Sequence, residues 1–185
     1  PAHTSTFTLS GGDDRFFTGW NTAFSEQNIN VQGGENTGDD DLLIFDAEGL
    51  ATQLQFVSRF GQFLITRPGV TNNTVNALEF ERIDMTASDA NESLNGGNGD
   101  DILRGGGGND SQNGNGGKDI LLGQDGDDGI TGDRTDLVLE GGGGIDCILL
   151  NLSTSADVFW AIDPDVAFTM PLGGSVLACE RDSWP

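Results

Sequence analysis

The stretch "GGNGDDILRGGGGND", Gly96 to Asp110, gives seven of its fifteen positions to glycine and three to aspartate. Glycine loses more backbone entropy on ordering than any other residue, and neighbouring carboxylates repel one another. A folded chain that concentrates acid where it is least stiff needs something to offset both costs. A cation is the candidate.

Reading in steps of nine from Ala87 gives ASDANESLN, GGNGDDILR, GGGGNDSQN, GNGGKDILL, GQDGDDGIT, GDRTDLVLE and GGGGIDCIL, with no slip of register. The first position is Ala87 and then glycine in every repeat. The sixth is Glu92, Asp101, Asp110, Asp119, Asp128, Leu137 and Asp146. The eighth is Leu94, Leu103, Gln112, Leu121, Ile130, Leu139 and Ile148. Low-complexity disorder would not hold an aliphatic column in phase with an acidic one. About three residues make a short strand with one inward side chain, and the Gly- and Asp-rich remainder turns the chain back. Two repeats then make one coil with two turns. Stacked coils pair their strands in parallel, bury the eighth-position residues, and align the sixth-position carboxylates in two columns. One column is Glu92, Asp110, Asp128 and Asp146. The other is Asp101 and Asp119, followed by the defective turn GDRTDL, where Asp136 stands next to the acidic place that Leu137 occupies.

The nonapeptide GGxGxD with an apolar residue two places on resembles the calcium-binding RTX (repeats-in-toxin, hemolysin-type) modules, and the match covers Ala87 to Leu149. The resemblance implies a right-handed parallel β-roll, a β-solenoid, with several Ca²⁺ ions held between neighbouring turns by aspartate carboxylates and turn carbonyls. The implied ligands are Glu92, Asp101, Asp110, Asp119, Asp128, Asp136 and Asp146, in pairs such as 101/119, 110/128 and 128/146. Hard oxygen donors suit calcium, whereas zinc would look for His or Cys. The family further implies type I secretion to the outside of a bacterial cell, with folding on contact with extracellular calcium. The end "ERDSWP" departs from the family's apolar-ended secretion tail.

The chain divides into an N-terminal β region (1–86), the nonapeptide β-roll (87–149) and a C-terminal cap (150–185), and the fold class expected is all-β. "LSGGDDRFF" (9–17) and "VQGGENTGDDDLLIF" (31–45) read as interrupted versions of the same turn-then-strand unit, the second with an insertion around Asn36 and Thr37. Period-two alternation predicts strands near 52–58, 61–67 and 76–85, which either continue the solenoid or form a sandwich-like cap on it. Asp13, Asp14, Asp39, Asp40 and Asp41 are candidates for further calcium, with solvated turn acids the favoured reading. After Leu149 the chain brings Phe159 and Trp160, suited to plug a solenoid's open end, with an aromatic platform for sugar as the alternative. Cys147 is at a seventh position, next to an inward one and so facing out, where a returning tail could bond it through Cys179 and add about 3–4 kcal/mol.

Thirty Asp and Glu against eight Lys and Arg give a formal charge of −22, which argues against nucleic acid or an anionic membrane as partner. No apolar run approaches the roughly 18 residues that span a bilayer, so a membrane span is not expected. The single histidine, His3, leaves no Ser/His/Asp triad and no HExxH zinc site to assemble. Pairs such as Asp163 and Asp165 are expected from acid abundance alone. The reading is a secreted, extracellular or cell-surface calcium-binding module, not itself an enzyme, with a structural, adhesive or stabilising role. Self-association, filaments included, and extracellular polysaccharide are the candidate partners beyond calcium. The alternative is a noncatalytic C-terminal module of a secreted hydrolase or polysaccharide-modifying enzyme, or a small complete one.

Overall fold

The structure is a computed structural model that describes residues 3–20, 27–34, 40–59, 61–70, 73–152 and 174–179. Among them lie sixteen strands and no helix. In the N-terminal part these are β1 (His3–Thr8), β2 (Arg15–Gly19), β3 (Gln27–Gln32), β4 (Leu42–Asp46), β5 (Gln55–Arg59), β6 (Gln62–Thr66), β7 (Thr74–Leu78) and β8 (Arg82–Thr86). Then follow β9 (Ser93–Asn95), β10 (Ile102–Gly107), β11 (Ser111–Asn113), β12 (Ile120–Asp125), β13 (Gly129–Asp133), β14 (Val138–Gly143), β15 (Cys147–Leu152) and β16 (Gly174–Cys179).

Three sheets result, in the orders β1-β3-β7-β6-β5, β14-β12-β10-β8-β4-β2 and β16-β15-β13-β11-β9. Apart from the β5–β6 pair, the chain visits the six-stranded sheet with every second strand. That sheet runs without interruption from β2 to β14, across the expected boundary at residue 86. Within the repeats every parallel pairing is offset by two nonapeptides: Ile102 opposes Ile120, Ile120 opposes Val138, Ser111 opposes Gly129 and Gly129 opposes Cys147. The alternation of turn glycines with an aliphatic residue therefore sets both the strand length and the register, as the nine-residue columns require.

The eighth-position side chains from Leu94 to Ile148 are all buried, Gln112 among them, and they continue the core formed by Leu43, Phe45, Ile83 and Met85. The expected strand at 76–85 is two strands. The chain turns at Glu79, whose φ is +60°, and crosses there from one sheet to the next. The hairpin β5–β6 is an antiparallel insertion into an otherwise parallel stack. It is why β4 and β8 are offset by a longer span than the repeats, Leu42 opposing Arg82.

At the far end β16 pairs antiparallel with β15, and Cys147 is bonded to Cys179 as the half-buried position of Cys147 allows. That strand covers an edge that parallel stacking would leave with unpaired backbone groups. Phe159, Trp160, Asp163 and Asp165 lie outside the described residues, as do Asn36, Thr37 and Asp39.

Candidate functional site

In each repeat the alternation of a strand turns positions six, eight and one inward, so the acid shares the core side with the aliphatic residue. Glu92, Asp101, Asp110, Asp119, Asp128 and Asp146 are buried, with Asp101 and Asp119 at 0% exposure. Asp101 lies in register with Ile83, the apolar residue that occupies the same inward place one strand earlier.

Each of these carboxylates is pinned by one oxygen, and Asp101 by both, its Oδ2 also accepting the backbone N–H of Gly97. The Oδ1 of Asp110 accepts the backbone N–H of Glu92 at 2.7 Å, that of Asp128 accepts from Asp110 at 2.7 Å, and that of Asp146 accepts from Asp128 at 2.8 Å. The second column repeats the pattern: Asp101 accepts from Ile83 at 2.8 Å and Asp119 accepts from Asp101 at 2.9 Å. At the near end of the first column, Leu54 stands in for a missing coil and donates its N–H to Glu92 Oε1 at 3.1 Å. Both columns inferred from the sequence are thus brought together, each as a ladder running up one edge of the stack.

The defective turn keeps its place in the ladder by a local rearrangement. Leu137 is 56% exposed, while Asp136 turns inward and is buried. Its Oδ1 accepts the N–H of Asp119 at 3.4 Å and its Oδ2 accepts that of Asp133 at 2.7 Å. The longer first bond reflects a turn one residue shorter than the others.

The other carboxylate oxygen explains the first-position glycine of the repeats from Gly96 onward. A Cβ on Gly105 would overlap Asp110 Oδ2 and the carbonyl oxygen of Gly123, and one on Gly123 would overlap Asp128 Oδ2 and the carbonyl of Gly141. Gly96 and Gly141 are likewise covered by Asp101 Oδ2 and Asp146 Oδ2. In Asp110, Asp119, Asp128 and Asp146 the buried Oδ2 meets no hydrogen-bond donor. At Gly105 and Gly123 two acceptor oxygens, one formally anionic, therefore converge on one small space. Buried acceptors without donors are costly, and anionic ones more so.

The electrostatics register that cost. Burial pushes the Asp101 carboxyl up to about 6, with its backbone hydrogen bonds from Ile83 and Gly97 opposing the shift. Burial raises Asp110 and Asp119 to about 7, helped by the neighbouring acids of each column. Glu92, Asp128, Asp136 and Asp146 are raised as well, burial again being the first cause. Such a row can be relieved by protons or by cations. Among the described residues no three Asp, Glu, His or Cys side chains gather at one point. A cation seated here would be held by single carboxylates together with turn carbonyls.

A second ladder was not foreseen. Fifth-position side chains accept from the residue two repeats later: Asn91 from Asn109 at 2.8 Å, Asp100 from Lys118 at 2.8 Å, Asn109 from Asp127 at 3.0 Å and Asp127 from Ile145 at 2.9 Å. The sixth-position acids reach back one coil and the fifth-position residues reach forward one, so each turn is tied in both directions. The signal was an Asn or Asp at 91, 100, 109, 127 and 136, a column broken only by Lys118 and Ile145.

The degenerate turns near the start repeat the device. Asp41 is buried, and its Oδ1 accepts the N–H of Asp14 at 2.8 Å, while Asp13 Oδ1 accepts from Asp40 at 3.1 Å. The preference for solvated turn acids is therefore corrected for Asp41. It holds the sixth-position place, and a Cβ on Gly33 would overlap its Oδ2. Asp13 and Asp40 do face solvent. Set against protein-family models and curated proteins, the chain matches none.

Proposed function

We propose that this chain is a calcium-binding module whose repeats form a right-handed parallel β-roll of the RTX type, secreted and folded on meeting extracellular calcium, with a structural, adhesive or stabilising role. The observation that carries the reading is the row of buried Oδ2 atoms without donors, two of them sharing a glycine-walled space with a turn carbonyl. An all-oxygen, partly anionic donor set fits a hard divalent ion better than a thiophilic one. Bound calcium would supply positive charge and accept the carboxylate and carbonyl oxygens as its ligands.

The chain's own residues supply the rest. Asp110, Asp119, Asp128 and Asp146 would hold the ions with Oδ2 while Oδ1 keeps each turn in register, and Glu92 would do so with Oε2. Asp101 and Asp136, whose Oδ2 atoms accept from Gly97 and Asp133, would share those oxygens with the ion. First-position glycines leave the space open, and the turn carbonyls complete the donor set. A ligand that binds only the folded arrangement adds its binding free energy to folding, so a chain with −22 formal charge gains stability with the logarithm of free calcium above the dissociation constant.

Far-UV circular dichroism during a calcium titration of chelator-stripped protein tests the reading. The β signal is expected to rise cooperatively with Ca²⁺ and only weakly with Mg²⁺, which demands a smaller octahedral shell and dehydrates reluctantly. Spectra that do not change with calcium would remove the basis for it.

A further inference from the structure

We infer that Gln112 is a further ligand at the Gly105 space, giving a cation there one more oxygen than its counterpart at Gly123 has. The inference rests on the calcium reading and extends it to a residue outside the acid columns.

Gln112 is the one polar side chain in the eighth-position column, where every other repeat turns in leucine or isoleucine. It opposes Leu94 and Ile130 in register and is 1% exposed. An amide is costly in such a place unless both of its ends find partners. Only one end does. Nε2 reaches across the core from β11 to β12, in the neighbouring sheet, and donates to the Leu122 carbonyl at 2.8 Å. The buried Oε1 meets no donor among the described residues. A tie between the two sheets accounts for the nitrogen and leaves the oxygen unexplained.

The amide ends beside a carboxylate in the same condition. A Cβ on Gly105 would lie 3.0 Å from Gln112 Nε2 and would overlap Asp110 Oδ2 and the Gly123 carbonyl oxygen. One small space is therefore bordered by a carboxylate oxygen without a donor, a turn carbonyl and a carboxamide. No other repeat can assemble this set. At Gly132 the eighth-position contact is made by the methyl groups of Leu139, and the repeat of Gly123 has Ile130 in that position.

A carboxamide suits both states of such a space. Without an ion, the nitrogen is the end nearer the two acceptor oxygens. With one, rotation about the last side-chain torsion, which is broad and roughly two-fold for a terminal amide, exchanges the ends and presents Oε1. That oxygen is a hard neutral donor of the kind calcium accepts alongside carboxylates. The bond to Leu122 is given up in the exchange.

Urea unfolding of the 185-residue chain at pH 8, over a series of free calcium concentrations and in chelator, tests the inference on wild type, Gln112→Leu and Gln112→Glu. The slope of stability against the logarithm of free calcium counts the ions released on unfolding. Gln112→Leu installs the residue that Leu94, Leu103 and Leu121 already supply to the column, so it is compatible with the fold. In that variant one ion should bind about tenfold more weakly, and the slope should fall by about one ion at calcium levels that just saturate wild type. Its urea midpoint should drop, relative to wild type, more in calcium than in chelator. Gln112→Glu keeps the oxygen and adds charge, so its midpoint should rise in calcium relative to chelator. A Gln112→Leu protein with the wild-type slope and the same change in both conditions would overturn the inference, leaving Gln112 a tie between sheets, as would a Gln112→Glu protein that loses equally in both. A wild-type midpoint indifferent to calcium is a separate outcome, which would remove the calcium reading and this inference with it.

Discussion

Strands β4 and β8 each turn two apolar side chains into the core, Leu43 with Phe45 and Ile83 with Met85, whereas β10 and β12, each with the residue ahead of it, turn in one acid, one apolar side chain and one glycine: Asp101, Leu103 and Gly105, then Asp119, Leu121 and Gly123. The two regions share one sheet and one register, so the difference lies in what drives closure. A buried large aliphatic side chain contributes about 1.5–3 kcal/mol. The N-terminal region gains that twice per strand. The repeat region gains it once and in the same turn buries a carboxylate whose charge opposes folding. The same backbone geometry can thus rest mainly on apolar burial in one region, where Asp41 ahead of β4 is a single buried acid among the described residues, and depend on charge neutralisation in the other.

The largest consequence concerns pH in the presence of a chelator. An acid whose pKa is higher in the folded than in the unfolded chain binds protons more tightly when folded. Its favourable contribution is fully present below the unfolded value near 3.8 and is lost as pH rises through the folded value, about 6 for Asp101 and about 7 for Asp110 and Asp119. Calcium-free protein should therefore gain urea resistance as pH is lowered from 8 to 5.5, through these shifts acting together. Calcium-loaded protein should lose resistance over the same range, because protons then compete with the ion. Midpoints measured by urea titration at several pH values decide it, and a calcium-free midpoint that falls with pH would break the contrast.

A smaller effect separates two glycines. Gly105→Ala places a methyl group on Asp110 Oδ2 and the Gly123 carbonyl, so it should cost about 3 kcal/mol or more. Gly49→Ala, in the N-terminal region, meets nothing within 4 Å and bears only the cost of its φ of +75°, about 1–2 kcal/mol. Thermal melts in saturating calcium should rank them in that order; equal losses would mean that the carboxylate does not occupy the glycine's side of the turn.

Smallest of all should be Leu137→Asp, which restores the acidic column in sequence. Asp136 already fills the buried place and Leu137 points to solvent, so stability and calcium midpoint should change by less than about 0.5 kcal/mol. A clear gain in calcium affinity would show that the short turn is unrepaired.

The nonapeptide columns made the two-repeat offset, the buried eighth position, the two acid columns and the Cys147–Cys179 bond legible before any coordinates. Strict periodicity states register directly. The inward direction of the acids was less visible. Sixth and eighth positions share the same side of a strand, but the charge of Asp101 or Asp119 suggests a solvent-facing turn. Only the steric demand at Gly105 and Gly123 reveals where the second oxygen sits. The β5–β6 hairpin was legible as strands but not as an insertion, because period-two alternation fixes which face a residue takes and not which strand it pairs with. For Asp41, three inserted residues between Gly33 and the acid disguised a turn that the Asp14 hydrogen bond makes plain.

The most direct measurement is hydrogen exchange followed by mass spectrometry on the whole chain, in calcium and in chelator at pH 8. Peptides covering 92–150 should lose most of their protection when calcium is removed, while peptides from 42–86 should keep theirs, because apolar burial there needs no ion. Equal protection of the repeat peptides in both conditions would contradict calcium-dependent closure of the carboxylate ladders.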